Sequence, residues 1–325
     1  MKIIRFYEHG GPAVLKLEET EIPKPGRGEV VLRVDATGVN FTDISHRKGS
    51  NLRQPLPLPY TPGVEAAGTV TEVGEGVTNI PVGERIIAVL PSGGYAEYVA
   101  IAAARAFPIP SGLSSIQAAA LPVQGLTAYH IISTFGHLQP GERILVQAAA
   151  GGVGTLAVQL AKLFGAAQVI AAASTPSKLE LAKSLGADTT IDYSLPDWED
   201  QVLAATDGKG VDLILDMIGG SQFSRNFSCL APLGRIVAFG AASGQRAIID
   251  AEKLTSRCYT VTGYYTGFVA TLPKAIVPTL QTLFQFVLSG QLKLQLRHDF
   301  TLADAAEVHR QMEERLTTGK IVLVP

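Results

Sequence analysis

The stretch QAAAGGVGTLAVQLAK, residues 147–162, joins the end of an apolar run to a cluster of glycines and an amphipathic continuation. The apolar run at residues 143–147 predicts a buried strand, and the glycines at 151–154 predict a tight turn. Residues 155–164 predict a helix, which the following Gly165 ends in the usual way. Strand, glycine turn and helix in this order favour a nucleotide-binding unit.

The glycines match most of the dinucleotide fingerprint G-x-G-x-x-G. In that motif the second glycine lets the backbone approach a pyrophosphate, and the third lets the helix pack closely on the strand. Gly151 and Gly154 occupy these two positions, whereas Ala149 stands at the first. An alanine fits there if the turn requires no positive φ at that residue. The stretch therefore predicts a dinucleotide site, the alternative being a glycine turn with a purely structural purpose.

The whole sequence divides into three regions that differ in their pattern of apolar, glycine and proline residues. Residues 121–261 alternate apolar runs with helical patterns, which predicts a doubly wound α/β domain whose parallel strands are covered on both faces. Residues 1–120 carry short strand patterns broken by Gly and Pro, which favours an antiparallel, barrel-like β domain. In residues 262–325 we expect helices around 276–288 and 304–317. A closing strand, GKIVLVP, could rejoin the first domain.

Composition narrows the function classes. The chain has 325 residues, 46% hydrophobic and 17% charged, and its 27 basic and 29 acidic side chains give a formal charge of −2. This balance argues against nucleic acid as the main partner. No apolar run is long enough to span a bilayer, and the N-terminal residues show no signal-peptide pattern. Cys229 and Cys258 cannot form a disulfide framework, so we expect a cytoplasmic protein with no membrane partner.

The second strand of the predicted nucleotide domain indicates which dinucleotide binds. An NAD site usually carries an acidic residue about 20 residues after the glycines, but here the strand ends in alanines followed by Ser174. Lys178 falls in the first turn of the next helix, where a bound phosphate would offset its unfavourable interaction with the helix dipole. Ser174, Lys178 and Tyr193 are predicted to bind the 2′-phosphate and adenine of NADPH. Alternatively, Lys178 is simply a solvated helix lysine.

Several further segments carry a family resemblance across essentially the whole chain: GVNFTDISHRKG, LPYTPGVEAAGTV, SGGYAEYV, ALPVQGLTAYH, LGADTTIDY and VDLILDMIGG. In order and spacing they resemble the medium-chain dehydrogenase/reductase superfamily, and within it the zinc-free NADPH:quinone oxidoreductases of the zeta-crystallin type. The resemblance implies a GroES-like β-barrel catalytic domain at residues 1–120, a Rossmann NADPH-binding domain at 121–261, and a return to the catalytic domain at 262–325.

The resemblance also bears on metal binding. Asn40 stands where zinc members of the superfamily have a cysteine, and Val64 where they have a histidine; Glu65 is kept. Zinc needs thiolate, imidazole or carboxylate ligands, so we expect no metal. Without a Lewis acid, alcohol oxidation is disfavoured, and hydride transfer to a quinone or an activated alkene is expected.

The resemblance further implies the site residues. Asn40 and Thr127 would lie near the nicotinamide ribose and ring, although in isolation turn formation and helix-face packing are commoner roles for such residues than ligand binding. Tyr60 and His46 are candidates to touch the acceptor or to relay a proton. The expected catalytic residues are thus Asn40, Tyr60 and Thr127, and the expected cofactor-binding residues are Asn40, Gln124, Thr127, Ala150, Gly151, Gly152, Val153, Ser174, Lys178, Tyr193, Phe239 and Gly240.

The acceptor is left open among quinones, enones or alkenals, and enoyl thioesters, because one fold serves many substrates. A cleft lined by Leu52, Tyr60 and residues 262–268 would suit a flat apolar acceptor. A protein that binds NADPH without catalysis is a second possibility. The apolar strand around residues 259–265 would leave an open sheet edge, so a homodimer is expected.

Overall fold

The computed structural model describes residues 1–50 and 55–325. The described chain divides into two compact units. The first contains residues 1–124 and 274–325, and the second contains residues 125–273. The boundaries between the units fall after residues 124 and 273, whereas the sequence predicted them after residues 120 and 261.

The bounds of the regular elements are as follows. The strands are β1 (Lys2–Arg5), β2 (Lys16–Glu19), β3 (Glu29–Gly38), β4 (Glu65–Val73), β5 (Arg85–Val89), β6 (Tyr98–Ala102), β7 (Ala106–Pro108), β8 (Arg143–Gln147), β9 (Gln168–Ala173), β10 (Thr189–Asp192), β11 (Val211–Asp216), β12 (Leu230–Ala238), β13 (Thr260–Gly263), β14 (Leu296–Thr301) and β15 (Lys320–Val324). The α-helices are α1 (Phe41–Lys48), α2 (Ser115–Ala119), α3 (Gln124–Ile132), α4 (Gly152–Leu163), α5 (Pro176–Ser184), α6 (Trp198–Ala205), α7 (Gly220–Arg225), α8 (Ala251–Ser256), α9 (Thr266–Val269), α10 (Pro273–Leu288) and α11 (Ala305–Glu313). Short 3-10 turns occur at Pro12–Val14, Ala103–Arg105, Asn226–Ser228 and Leu302–Asp304.

The first unit is built around β3. This strand pairs antiparallel with β4, β6 and β15, within a sheet ordered β14-β15-β3-β4-β5-β7. Val30, Leu32 and Val34 alternate along β3 into one apolar core. Val31 is buried as well and only Arg33 is exposed, so most of the strand is covered on both faces. The pairing of β15 with β3 confirms that the closing strand returns to the first domain.

The second unit contains a parallel sheet ordered β10-β9-β8-β11-β12-β13. This is the strand order of doubly wound dinucleotide-binding domains. From β8 the chain adds β9 and β10 on one side of the sheet and then β11, β12 and β13 on the other, so the order of strands reverses between β8 and β11. The central strands are almost fully apolar because both of their faces are buried, as in residues 144–146 of β8. Ligands of such sheets bind beyond the carboxyl ends of the strands at the point of reversal.

Strand β8 has the bounds predicted from sequence, but the start of helix α4 was predicted three residues too late. Gly151 is the extended N-cap and the helix begins at Gly152 rather than at residue 155, so two of the glycines are helical. Ala149 is outside the positive-φ region, as its substitution for glycine requires, whereas Ala148 has φ 50°. A non-glycine residue thus holds the left-handed conformation, at a cost of about 1 kcal/mol.

The last predicted helix is also shorter than expected. It ends at Glu313 rather than near residue 317, because the chain turns at Arg315, which has φ 59°.

Within the described residues, no helix combines the length and apolarity that crossing a bilayer demands.

Candidate active site

The glycine loop of the second unit brings backbone close to backbone. A side chain on Gly154 would place its Cβ 2.3 Å from the carbonyl oxygen of Ala148 and 2.7 Å from the Cα of Ala149. The predicted cofactor-binding residues of this loop, Ala150, Gly151, Gly152 and Val153, form the turn and the first turn of α4. No side chain caps this helix start and no acidic residue lies in its first turn, so its N–H groups suit an anionic group.

The predicted 2′-phosphate group lies at the edge formed by β9 and β10. Ser174 follows β9 directly, and Tyr193 follows β10, where its N–H donates to the carbonyl of Ala173 at 3.2 Å. Thr175 caps α5 by accepting a hydrogen bond from the N–H of Lys178, which places Lys178 in the first turn as predicted. All three predicted side chains are half-buried, and no acidic residue occurs in that turn.

The other predicted cofactor contacts of the second unit occupy two places. Phe239 and Gly240 follow β12, and the N–H of Phe239 donates to the carbonyl of Asp216 at the end of β11. Thr127 lies on α3, with its hydroxyl oxygen 2.7 Å from that of Thr266. Phe239 and Gly240 therefore lie at the carboxyl edge of the sheet, where dinucleotides bind.

The first unit gathers Asn40, Glu65, Gln124 and Lys320 into one buried cluster, which we call the amide–ion-pair cluster. The ammonium of Lys320 contacts the carboxylate of Glu65 and donates to the Oδ1 of Asn40 at 2.8 Å. The Nδ2 of Asn40 donates to the same carboxylate at 2.7 Å, and the Nε2 of Gln124 lies 3.4 Å from the Oδ1 of Asn40. Sequence reasoning brought out Asn40, Gln124 and Glu65 but missed Lys320, whose only signal is a charged residue at the start of an apolar strand.

A second buried network lies beside Asn40. Asp43 accepts hydrogen bonds from the N–H of Asn40 at 2.8 Å and of Gly63 at 3.2 Å, and the hydroxyl of Tyr95 lies 3.3 Å away. That hydroxyl is also 3.1 Å from the Nε2 of His309. Burial raises the pKa of Asp43 to about 7, against the opposing effect of the two N–H donors, and burial lowers the pKa of His309 to about 3. Asp43 and His309 were not predicted from sequence.

These shifts predict the pH dependence of stability for an Asp43→Asn variant. The pKa of Asp43 is higher in the folded protein, so the folded state binds the proton of Asp43 more strongly than the unfolded state does. The contribution of Asp43 to the free energy of unfolding therefore falls as pH rises from about 4 to about 7. His309 acts in the opposite direction, because its folded pKa is lowered. The difference between variant and wild type isolates Asp43, and we expect it to shift in favour of the variant by up to about 1.4 kcal/mol per pH unit.

Urea unfolding at pH 4.5, 5.5 and 6.5 measures this slope. The exposed Asp207→Asn variant is the control and should show a constant difference from wild type. A constant difference for Asp43→Asn as well would contradict the raised pKa.

Tyr60 and His46 form a pair in the first unit. The Tyr60 hydroxyl is 2.9 Å from the Nδ1 of His46, and it lies 3.3 Å from the carbonyl of Pro91. Burial lowers the pKa of His46, which favours the neutral imidazole. A hydroxyl in contact with a neutral imidazole can pass on a proton and be reprotonated. Leu52, the other predicted acceptor contact of this unit, lies outside the described residues.

The polar side chains at the positions of the zinc ligands are hydrogen-bonded within the protein and do not form an open set of metal ligands. The Asn40 amide and the Glu65 carboxylate are engaged as described above, and Val64 offers only an alkyl group. In the part of the chain that the structure describes, no group of three or more His, Cys, Asp or Glu side chains could hold a metal ion.

Two family models match the chain: an alcohol dehydrogenase GroES-like domain at residues 26–111 and a zinc-binding dehydrogenase model at residues 152–282. A quinone oxidoreductase from Pseudomonas aeruginosa is 37% identical over 327 residues, covering 100% of this chain and 99% of that protein. The chain belongs to the quinone oxidoreductase family. This membership confirms the predicted superfamily and the predicted pairing of a GroES-like domain with a Rossmann domain.

Other members and relatives of the quinone oxidoreductase family match over the full chain. The crystal structure of Escherichia coli quinone oxidoreductase complexed with NADPH superposes with a TM-score of 0.94 at 33% identity, covering all of both chains. A 2-haloacrylate reductase from a Burkholderia species is 36% identical over 98% of each chain. The narrower resemblance to zeta-crystallin stays a prediction.

Proposed function

We propose that this protein is an NADPH-dependent quinone reductase. The observation that carries the proposal is the sequence after β9, where no acidic residue follows the strand and Lys178 lies in the first turn of α5. The position directly after β9, where an acidic side chain would repel a 2′-phosphate, is Ser174. Asp192 ends β10 opposite Ala173, and its carboxylate accepts hydrogen bonds from the N–H and the hydroxyl of Ser194. Full-length similarity to a quinone oxidoreductase, and to one solved with NADPH, supports both the cofactor and the acceptor class.

The residues present fit NADPH. The close approach at Gly154 and the uncapped start of α4 provide a place for a pyrophosphate, and Ser174, Lys178 and Tyr193 one for the 2′-phosphate and adenine. Asn40, Gln124 and Thr127 contact the nicotinamide nucleoside in this proposal. The backbone of residues 239–240 borders the carboxamide.

The chemistry is a hydride and proton transfer. Bound NADPH supplies the hydride, and the protein orients the acceptor and delivers a proton to its oxygen. We assign the proton to the Tyr60 hydroxyl; His46 then gives its Nδ1 proton to the tyrosinate oxygen across the 2.9 Å contact while its Nε2 takes a proton from water. A quinone that gains one hydride and one proton becomes the hydroquinone, which balances the reaction.

The reaction proceeds without zinc in this proposal. The Oδ1 of Asn40 already accepts a hydrogen bond from the ammonium of Lys320. The Glu65 carboxylate accepts hydrogen bonds from the ammonium of Lys320, the Nδ2 of Asn40 and the N–H of Val123. A positive ammonium in contact with both side chains opposes the binding of a second cation. A quinone is electrophilic enough to accept a hydride with no Lewis acid beside it.

One observation favours a second acceptor class. The relative named 2-haloacrylate reductase covers 98% of this chain at nearly the same identity as the quinone oxidoreductase. An activated alkene also accepts a hydride at carbon, followed by a proton on the neighbouring carbon, so the same pair of residues could serve it. We therefore include alkenes in the test of function.

The test follows NADPH absorbance with chelator-treated protein and an ortho-quinone, an enone and a simple ketone. We expect rapid NADPH loss with the quinone, about the same rate before and after chelation, and much slower loss with NADH. Faster turnover of the enone would move the assignment to alkene reduction. NADPH binding with no turnover of any acceptor would overturn the enzymatic proposal, and a rate lost on chelation and restored by zinc would overturn zinc independence.

We also propose a cytoplasmic homodimer. Among the described residues, β13 has a partner only on its β12 side, and Tyr265 and Phe268 after it are exposed. Pairing of two copies along β13 would cover this edge. Two cysteines without a disulfide suit a reducing compartment. A monomeric mass by light scattering would contradict the dimer.

A further inference from the structure

The amide–ion-pair cluster has almost no unused hydrogen-bonding capacity. Lys320 has three N–H donors, and they meet three acceptors: the Glu65 carboxylate, the Oδ1 of Asn40 at 2.8 Å and the carbonyl of Val39 at 3.1 Å. The second oxygen of Glu65 accepts the N–H of Val123 at 2.8 Å. Each charged group is therefore fully paired within the fold.

This pairing fixes the Asn40 amide in one orientation. Its oxygen faces the donors of Lys320 and Gln124, and its nitrogen faces the Glu65 carboxylate and the carbonyl of Gly38. A flipped amide would set donors against donors and acceptors against acceptors. Asn40 in turn holds the Nε2 of Gln124, so Gln124 is oriented as well.

One acceptor in the cluster is unused. The Oε1 of Gln124 is buried and has no hydrogen-bond partner among the described residues, although the side chain is only 8% exposed. Leaving a buried acceptor unpaired costs about 1–3 kcal/mol, so such an atom points to a donor that arrives with a ligand. The ligand group must carry an N–H or O–H.

The fold makes room for this arrangement at Gly38. A Cβ on Gly38 would lie 2.3 Å from the Oε1 of Glu65 and 2.7 Å from the Cε of Lys320. The glycine ends β3, next to the point where β15 pairs with it, and β15 begins with Lys320. Strand β15 thus places the ammonium of Lys320 against Glu65 and Asn40, which precede it in the chain by 255 and 280 residues.

We propose that Lys320 and Glu65 are positioning residues that act through Asn40 to aim the Oε1 of Gln124 at a hydroxyl or amide donor of the bound nicotinamide nucleoside. This proposal rests on the proposed function for the identity of its ligand. Neither charged residue contacts the cofactor in it. Their effect on binding passes entirely through the two amides.

The test measures NADPH affinity by the fluorescence of the bound cofactor in a variant cycle. The double variant Glu65→Gln/Lys320→Met removes both charges together, so no unpaired charge is left buried. We expect it to bind NADPH about tenfold more weakly, as does Gln124→Leu, which deletes the acceptor directly. Because the charged pair acts through Gln124, the triple variant should be no weaker than Gln124→Leu.

Arg47→Met is the matched control. Arg47 forms another buried ion pair in the first unit, with Glu313 at 2.8 Å, so this variant is destabilised without touching the cluster. Its NADPH affinity should equal that of wild type. Lys320→Arg is the variant to measure if the double variant fails to fold. The guanidinium of arginine keeps the positive charge, but it cannot make all three contacts from one nitrogen atom. We therefore expect this variant to bind NADPH about threefold more weakly than wild type.

Three results would overturn the proposal: unchanged NADPH affinity in the double variant, equal weakening in Arg47→Met, or additive losses in the triple variant. With an unfolded double variant, wild-type affinity in Lys320→Arg would overturn it instead. A wild-type protein that binds NADPH but reduces no quinone would overturn the proposed function alone, since the binding cycle needs no turnover.

Discussion

Gly154→Ala is expected to raise the Kd for NADPH at least about 100-fold and to lower the free energy of unfolding by about 3 kcal/mol. The added Cβ would lie 2.3 Å from the carbonyl oxygen of Ala148 and 2.7 Å from the Cα of Ala149. Both atoms belong to the backbone, so no side-chain rotation relieves the overlap. Either the loop or helix α4 must move, and the N–H groups at the helix start move with it.

Isothermal titration with NADPH and urea unfolding measure the two effects. Gly11→Ala is the control, because a Cβ there meets nothing within 4 Å and its backbone is in the extended region, with φ −71°. We expect wild-type affinity for the control. An affinity for NADPH in Gly154→Ala within threefold of wild type would show that the loop is not a cofactor cradle.

Lys178→Glu is expected to lower kcat/KM for NADPH on the order of 100-fold while changing kcat/KM for NADH little. The substitution replaces a cation by an anion in the first turn of α5, beside the proposed 2′-phosphate. NADH has no phosphate there and meets no repulsion. The same substitution should leave the protein as stable as wild type, or more stable by about 0.3–1 kcal/mol, because an acidic residue suits a helix N-terminus.

The control for this variant lies on the same helix. Lys183→Glu makes an identical charge change in the last turn of α5, where the side chain is exposed. It should lose a little stability and keep the preference for NADPH. Equal losses with both cofactors in Lys178→Glu would rule out a 2′-phosphate role and support a solvated helix lysine.

The parts of the molecule that depend on neighbours in the chain could be predicted from sequence. Strand β8 was predicted with its observed bounds, because an apolar run and a following glycine turn are local signals. The start of α4 was predicted too late because glycine has low helix propensity, yet Gly152 and Gly154 both lie in the helix. At Gly154 the close approach of the loop backbone excludes a side chain. Tertiary packing overrode the local preference.

The candidate site divides in the same way. The missing acid after β9 and the N-terminal lysine of α5 could be recognised because they lie on consecutive elements whose order is fixed by the fold. Lys320 and His309 could not be, since each meets its partners across more than 200 residues. A lysine before an apolar strand has the same sequence pattern whether its ammonium lies in water or against a buried carboxylate.

The sequence by itself determined that a doubly wound nucleotide unit interrupts a β-rich unit, and that the nucleotide unit favours NADPH. It did so through hydrophobic period, glycine spacing and the absence of one acidic residue. Only the tertiary structure decided that Lys320 pairs with Glu65, that Asn40 is held in one orientation, and that the Oε1 of Gln124 is buried with no hydrogen-bond partner among the described residues. The physical reason is that burial and hydrogen-bond pairing depend on which distant segments meet, and the pairing of β15 with β3 settles that only when the chain has folded.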